Sequence, residues 1–168
     1  SKEGLLYVKG RFKSLLISSD GEKYSPEGIE EALVEKSPYI DQVMLYNNQC
    51  ATTTALVVAN KDALKRQIKE SGFAAESEEG RKAALQILEA ELARFKKGGE
   101  FYGMFPERWL PSSFAVLAEP FTEQNQMINS TMKMVRPKIE KAYKERIDYM
   151  YTSEGKQTLN QQNIDAIA

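Results

Sequence analysis

Two β-type runs near the middle of the chain set what everything else must pack against. Ile40–Tyr46 alternates apolar Val43 and Leu45 with polar neighbours, residues 51–59 are rich in Thr and Val, and Asn47-Asn48-Gln49 lies between them as turn chemistry. That pattern predicts a β-hairpin. A third apolar run at 113–117 predicts another strand. Between and around these runs the period changes to that of helices. Ser25 suits an N-cap, Pro26 the first helical position and Glu27 the positive end of the helix dipole, with Ile29 and Leu33 on one face of a short helix that stops before Pro38. Helices are expected over 62–71 and 78–97, the second carrying Leu85, Leu88, Leu92 and Phe95 as a core stripe, and Gly98-Gly99 end it. Pro137 opens a last helix with Ile139, Tyr143 and Ile147 on one side and Lys138, Lys141 and Lys144 on a solvated other side. The fold class is therefore α/β (α+β): a small central sheet of about three strands flanked by helices. Ahead of it, runs at 5–9 and 15–18 separated by Gly10-Arg11 read as a short two-stranded ribbon with a bend. Residues 101–111, with Tyr102, Phe105, Trp109 and two prolines, read as an ordered loop that caps the core, and the polar stretch after Tyr151 as a tail that adds a turn of helix when docked.

Composition narrows the chemistry. A length of 168 residues with 42% apolar content fits one globular domain. Lys+Arg 23 against Asp+Glu 24 leaves a net charge of −1, which offers no long-range field for nucleic acid, so any anion site must be local. There is no histidine and Cys50 is the single cysteine. Ser-His-Asp and Cys-His catalysis, multi-Cys/His metal sites and an internal disulfide are thereby excluded within this sequence. Cys50 itself reads as an inert, reduced core thiol. No apolar run approaches the roughly 20 residues of a membrane span, and no positive-then-apolar leader pattern opens the sequence, so a cytoplasmic protein is expected.

Two motifs carry more than composition does. The run Gly10-Arg11-Phe12-Lys13-Ser14-Leu15-Leu16-Ile17-Ser18-Ser19-Asp20-Gly21-Glu22-Lys23-Tyr24-Ser25-Pro26-Glu27-Gly28-Ile29-Glu30 is answered about a hundred residues later by Ser130-Thr131-Met132-Lys133-Met134-Val135-Arg136. Their order and wording resemble the C-terminal domain of AMP-forming (ANL superfamily) acyl-CoA synthetases, and Thr-Met-Lys before an Arg-Pro helix looks most like the long-chain fatty-acid-CoA ligase branch. The resemblance covers most of 4–150. It implies a linker and hinge over 1–13, a lid domain over 14–151 and a polar tail over 152–168.

What the resemblance implies about the site follows residue by residue. Lys133 stands where the family's lysine touches the carboxylate and the ATP α-phosphate during adenylation. An ammonium there offsets the charge that grows when one anion attacks another. A lone lysine in a Ser/Thr loop is ordinarily just solvated, and it is the flanking wording that favours the functional reading. Lys13 takes the hinge position, where backbone torsions turn as the lid swings. Arg11 is similar to the arginine that approaches the nucleotide. Gly21 and Glu22 look like the turn that lines the pantetheine tunnel after rotation. No metal site is implied within this sequence. ATP and Mg2+ are expected on a preceding adenylation domain, with fatty acid and CoA as the other small molecules, and the whole enzyme at the membrane periphery or in the cytoplasm. The isolated lid is expected to be inactive. The alternatives are a stand-alone binding module of the same fold, or a ligase for another acid or for an acyl carrier protein.

Overall fold

The computed structural model describes residues 15–74 and 77–167, so the expected strand at 5–9, with Gly10, Arg11 and Lys13, lies outside the described residues. In chain order the elements are β1 (Leu16–Ser18), β2 (Lys23–Tyr24), α1 (Glu27–Glu35), β3 (Ile40–Tyr46), β4 (Asn48–Cys50), β5 (Thr53–Ala59), α2 (Lys61–Glu70), α3 (Glu78–Ala93), a 3-10 turn (Glu107–Trp109), β6 (Pro111–Val116), α4 (Arg136–Ala142), α5 (Lys144–Tyr149) and α6 (Gln161–Ala166). The central sheet has the order β3-β5-β6, with β3 and β5 antiparallel and β5 and β6 parallel. Every residue of β5 is buried. A middle strand covered on both faces loses the polar alternation of a half-exposed one, which is why its sequence is a continuous Thr/Ala/Val/Leu run.

Alternation along the strands divides the interior in two. Val43, Leu45, Ala55 and Val57 face one core with Ile29 and Leu33 of α1, Leu64 and Ile68 of α2, and Leu85, Leu88 and Leu92 of α3. Met44, Leu56, Val58 and Ala115 face the other, with Phe121, Met127, Ile128, Ile139, Ile147 and Met150. Helices α1, α2, α3 and α6 thus cover one face, while the segment leading to Lys133 and helices α4 and α5 cover the opposite one. Burial of a Leu or Ile on either side is worth about 1.5–3 kcal/mol.

Several local expectations shift. The first carbonyl of α1 to bond within the helix is that of Pro26, which accepts from Glu30 N–H, and no side chain caps its start. Helix α3 stops at Ala93 rather than at 97, because Arg94 turns the chain: its guanidinium donates to Lys36 O, Glu91 and Glu100, and its carbonyl accepts from Phe101 N–H. Phe95 stays buried past the helix end, with Phe101 and Phe105 tilted against it, so the aromatic segment does cap the core. Asn47-Asn48-Gln49 is more than a turn. Asn48–Cys50 forms β4, which pairs parallel with β1 in a second sheet of order β2-β1-β4. Asn47 is buried, its Oδ1 accepting from Cys50 N–H at 2.8 Å and its Nδ2 donating to Tyr24 Oη at 3.2 Å. Cys50 is accordingly a partly exposed residue on the edge of that sheet, not a core thiol.

Side chains meet backbone groups on both edges of the central sheet, Glu30 accepting from Leu45 N–H on β3. On β6, the fully buried Asn163 of α6 accepts from Val116 N–H at 2.9 Å and donates to Phe114 O at 3.1 Å, while Arg146 donates to Val116 O at 2.8 Å. The polar stretch after 151 docks through this amide. We expect Asn163→Ala to lower stability by about 2–4 kcal/mol, since it strands two backbone groups of β6. Urea unfolding of the chain measures this, and an unchanged midpoint would mean that α6 does not close the edge.

Candidate functional site

Lys133 lies in a loop whose two feet are in the second core. Before it, Met127 and Ile128 are buried; after it, Met134 is partly buried and Arg136 is buried at the start of α4. Ile128 and Met134 face each other in an isolated antiparallel bridge, and Val135 N–H donates to Met127 O at 2.8 Å. Between these feet the chain makes a tight excursion organised by Asn129. Its Oδ1 accepts from Thr131 N–H at 3.0 Å, Thr131 Oγ1 at 2.7 Å and Lys133 N–H at 3.0 Å. Its backbone N–H donates to Lys133 O at 2.9 Å, and its carbonyl accepts from Met132 N–H, also at 2.9 Å. Met132 takes a left-handed φ of 65° and is 69% exposed. A short side chain that satisfies three donors fixes the loop without a core of its own. Lys133 is exposed, and among the described residues its ammonium has no hydrogen-bond or ion-pair partner. The arrangement therefore presents one free cation from a backbone that is already ordered.

The approach to this loop is also held. Gln42 of β3 pairs its side-chain amide with the backbone of Phe121, donating to the carbonyl at 3.0 Å and accepting from the N–H at 2.8 Å. At the far foot, Arg136 makes a two-point ion pair with Glu30 of α1, one contact at 2.9 Å through Nη1 and a second through Nη2. Glu30 Oε2 also accepts from Leu45 N–H at 2.7 Å. Burial pushes the Glu30 carboxyl up from the usual carboxylate range, with Arg136 and the Leu45 N–H pulling the other way.

Gly21 and Glu22 sit apart from this loop, in the turn joining β1 to β2. Gly21 has φ +88°, its N–H donates to Ser18 O at 3.0 Å, and a Cβ added there would meet nothing within 4 Å. Asp20 accepts from Ser18 Oγ and from Glu22 N–H, contacts that hold its carboxyl below the usual range. Glu22 is committed to Arg108 through a fork of contacts at 2.6 and 2.7 Å, which lowers its own carboxyl and raises the guanidinium. Tyr24, two residues on, stacks on Trp109 with centroids 5.2 Å apart and hydrogen-bonds Thr53 at the start of β5. The turn is thus braced against the 3-10 segment and the central sheet. Among the described residues, no hydrogen bond or ion pair joins it to the Lys133 loop.

Of the expected site residues, then, Gly21 and Glu22 share one turn, Lys133 occupies a separate loop, and Arg11 and Lys13 lie outside the described residues. The motif wording marks neither Arg108 nor Asn129, and it contains Glu30 and Arg136 without joining them. Asn129 two residues before Thr131 is a local signal that could have been read as an Asx turn. A pair spanning 106 residues has no local signal.

No family model matches the chain. Over 186 aligned residues it is 25% identical to a long-chain-fatty-acid–CoA ligase of Gallus gallus, covering 99% of this chain and 24% of the relative. Over 149 residues it is 25% identical to a chloroplastic long-chain-fatty-acid–[acyl-carrier-protein] ligase of Arabidopsis thaliana, covering 89% and 18% respectively. Among solved structures it superposes on the adenylation domain of a carboxylate reductase from Mycobacterium chelonae with a TM-score of 0.63 and 25% identity, over 82% of this chain and 19% of that one. It also superposes on the A-PCP didomain of a carboxylic acid reductase from Segniliparus rugosus in complex with AMP, with a TM-score of 0.60 and 26% identity, over 83% and 17%. The chain spans less than a quarter of the length of each of these proteins.

The turn yields a prediction that does not depend on these likenesses. Because space around Gly21 is open, the cost of Gly21→Ala comes from backbone conformation alone, about 1–2 kcal/mol. Chemical denaturation is the measurement, and a stabilised variant would contradict the left-handed geometry.

Proposed function

We propose that this chain, a member of the AMP-forming carboxylate-activating enzymes, is the C-terminal lid of a long-chain fatty-acid–CoA ligase and delivers Lys133 to the adenylation reaction. The reaction class is ATP plus carboxylate giving acyl-AMP and pyrophosphate, followed by displacement of AMP by CoA. The single observation that carries the reading is an exposed ammonium, without a partner among the described residues, on a loop ordered by Asn129 and seated on buried feet. Such a group stabilises negative charge on a carboxylate and a phosphate brought together, and because its backbone is already placed, little ordering remains to be done during the reaction. In a second pose of the lid, the Gly21 turn, stiffened by the Glu22–Arg108 fork, is the part offered to the pantetheine arm. Lys13 is assigned the hinge and Arg11 a nucleotide contact on motif wording alone. No group of three or more His, Cys, Asp or Glu side chains is placed to hold a metal among the described residues. On the family resemblance alone, Mg2+ and most ATP contacts are assigned to a companion adenylation domain. The enzyme is proposed to work in the cytoplasm or at the membrane periphery.

CoA as acceptor and a long-chain acid as substrate are supported by the Gallus gallus relative, whose alignment takes in 99% of this chain. The Arabidopsis relative, named for an acyl carrier protein, supports the other acceptor. Assays of the complete enzyme with acids of graded length and with both acceptors distinguish them. For Lys133→Ala in the complete enzyme we expect pyrophosphate exchange to fall by roughly 10²–10³, equivalent to about 3–4 kcal/mol of lost transition-state stabilisation. Thioester formation from supplied acyl-AMP should be largely retained. Equal loss of both half-reactions would contradict the assigned role.

A further inference from the structure

We infer that Glu30 and Arg136 are positioning residues for Lys133, a buried two-point ion pair that fixes the foot of the lysine loop against the edge of the central sheet. The inference rests on the reading of Lys133 just given. The bonds made by Asn129 are all local, so they set the shape of the loop without setting its direction relative to the body of the domain. Direction has to come from the feet. At the first foot, Met127 and Ile128 are seated by apolar contacts and by N–H bonds to Thr122 O and Asn125 Oδ1 of their own segment, whose side-chain tie to the sheet, Gln42 to Phe121, lies eight positions before Asn129. At the second, Arg136 uses both terminal nitrogens on both oxygens of Glu30, a fork geometry that admits one orientation. Glu30 in turn sits on α1 and is tied to the sheet through Leu45 N–H at 2.7 Å. Only two residues lie between Lys133 and Arg136, so the sheet reaches the ammonium through the Glu30 hydrogen bonds and a short stretch of backbone.

The pair is also poorly explained as a stabilising contact. At 4% and 8% exposure both partners have given up their water, and burial acts on the Glu30 carboxyl more strongly than Arg136 does. Buried pairs of this kind are often no more stabilising than well-packed hydrocarbon of similar volume. Hydrocarbon at position 30 would leave Leu45 N–H without its acceptor, a need that Glu30 meets alone; what the Arg136 fork adds is a fixed direction, and a displacement of about 1 Å at a reacting group can cost on the order of 10² in rate.

In the complete enzyme, Glu30→Gln should lower kcat for acyl-adenylate formation roughly ten-fold or more with KM for ATP little changed. Thioester formation from supplied acyl-AMP should stay near wild type. Placed in a Lys133→Ala background, the same substitution should add almost nothing, because a residue acting through Lys133 then has nothing left to position. Arg136→Lys retains the charge but loses the fork, and should reproduce the pattern even if Glu30→Gln proves too unstable to assay. Equal loss of both half-reactions, or full additivity with Lys133→Ala, would overturn the inference and leave the role of Lys133 standing. Normal adenylation by Lys133→Ala alone would overturn both.

Discussion

A three-stranded sheet has two edges for one interior strand, and each edge presents backbone groups that must find partners once helices exclude water from them. In this domain neither edge is closed by another strand of the same sheet. At β6 the partner is the amide of Asn163, which imitates the donor and acceptor of a neighbouring strand. At β3, Glu30 takes the N–H of Leu45, and the side chain of Gln42 reaches out to pair with the backbone of Phe121. The segments these side chains bring in are α6, the approach to the lysine loop, and α4. Closing the sheet and building the loop platform are therefore one packing problem.

The parts legible in the sequence are those whose signal is local and repeated. The continuous apolar run of β5, the Leu85-Leu88-Leu92 stripe and the Pro137 start of α4 each follow from period or from proline chemistry, and the structure places them accordingly. Asn48–Cys50 was not legible as a strand. A polar tripeptide between two strands has the composition of a turn, and only pairing with β1, some thirty residues earlier in the chain, makes it β4. The stretch after 151 does add a short docked helix, as its reading allowed, but its polar composition conceals the one asparagine whose partners are on β6. The lysine could be singled out by motif wording. The groups that hold it could not, because the Glu30–Arg136 contact is defined by topology rather than spacing.

The two candidate functional parts are mounted differently, and this bears on how one domain could serve two half-reactions. The Gly21 turn belongs to the small β2-β1-β4 sheet and is braced by Arg108 and by the Tyr24–Trp109 stack. The Lys133 loop is mounted on the opposite face of the central sheet from α2 and α3. Each has its own rigid support, so under the proposed lid role a rotation of the whole domain exchanges them without refolding either. Rigid-body exchange of this kind needs flexibility only where the chain enters the domain.

The use of charge at the foot of the loop follows from a sequence of requirements. The N–H of Leu45 lies at a buried edge, and leaving it without an acceptor would cost about 1–3 kcal/mol, so hydrocarbon at position 30 would satisfy packing and fail the backbone. A carboxylate satisfies it but is itself costly to bury, as the raised Glu30 carboxyl records. A guanidinium with two parallel donors is the side chain best matched to both remaining needs, charge and geometry. Arg136 supplies it from the first residue of α4, in a chain that has just turned through Met132 at a left-handed φ to expose Lys133. Requirement by requirement, the unsatisfied edge of a β-strand ends by dictating where, three residues away, an exposed ammonium begins.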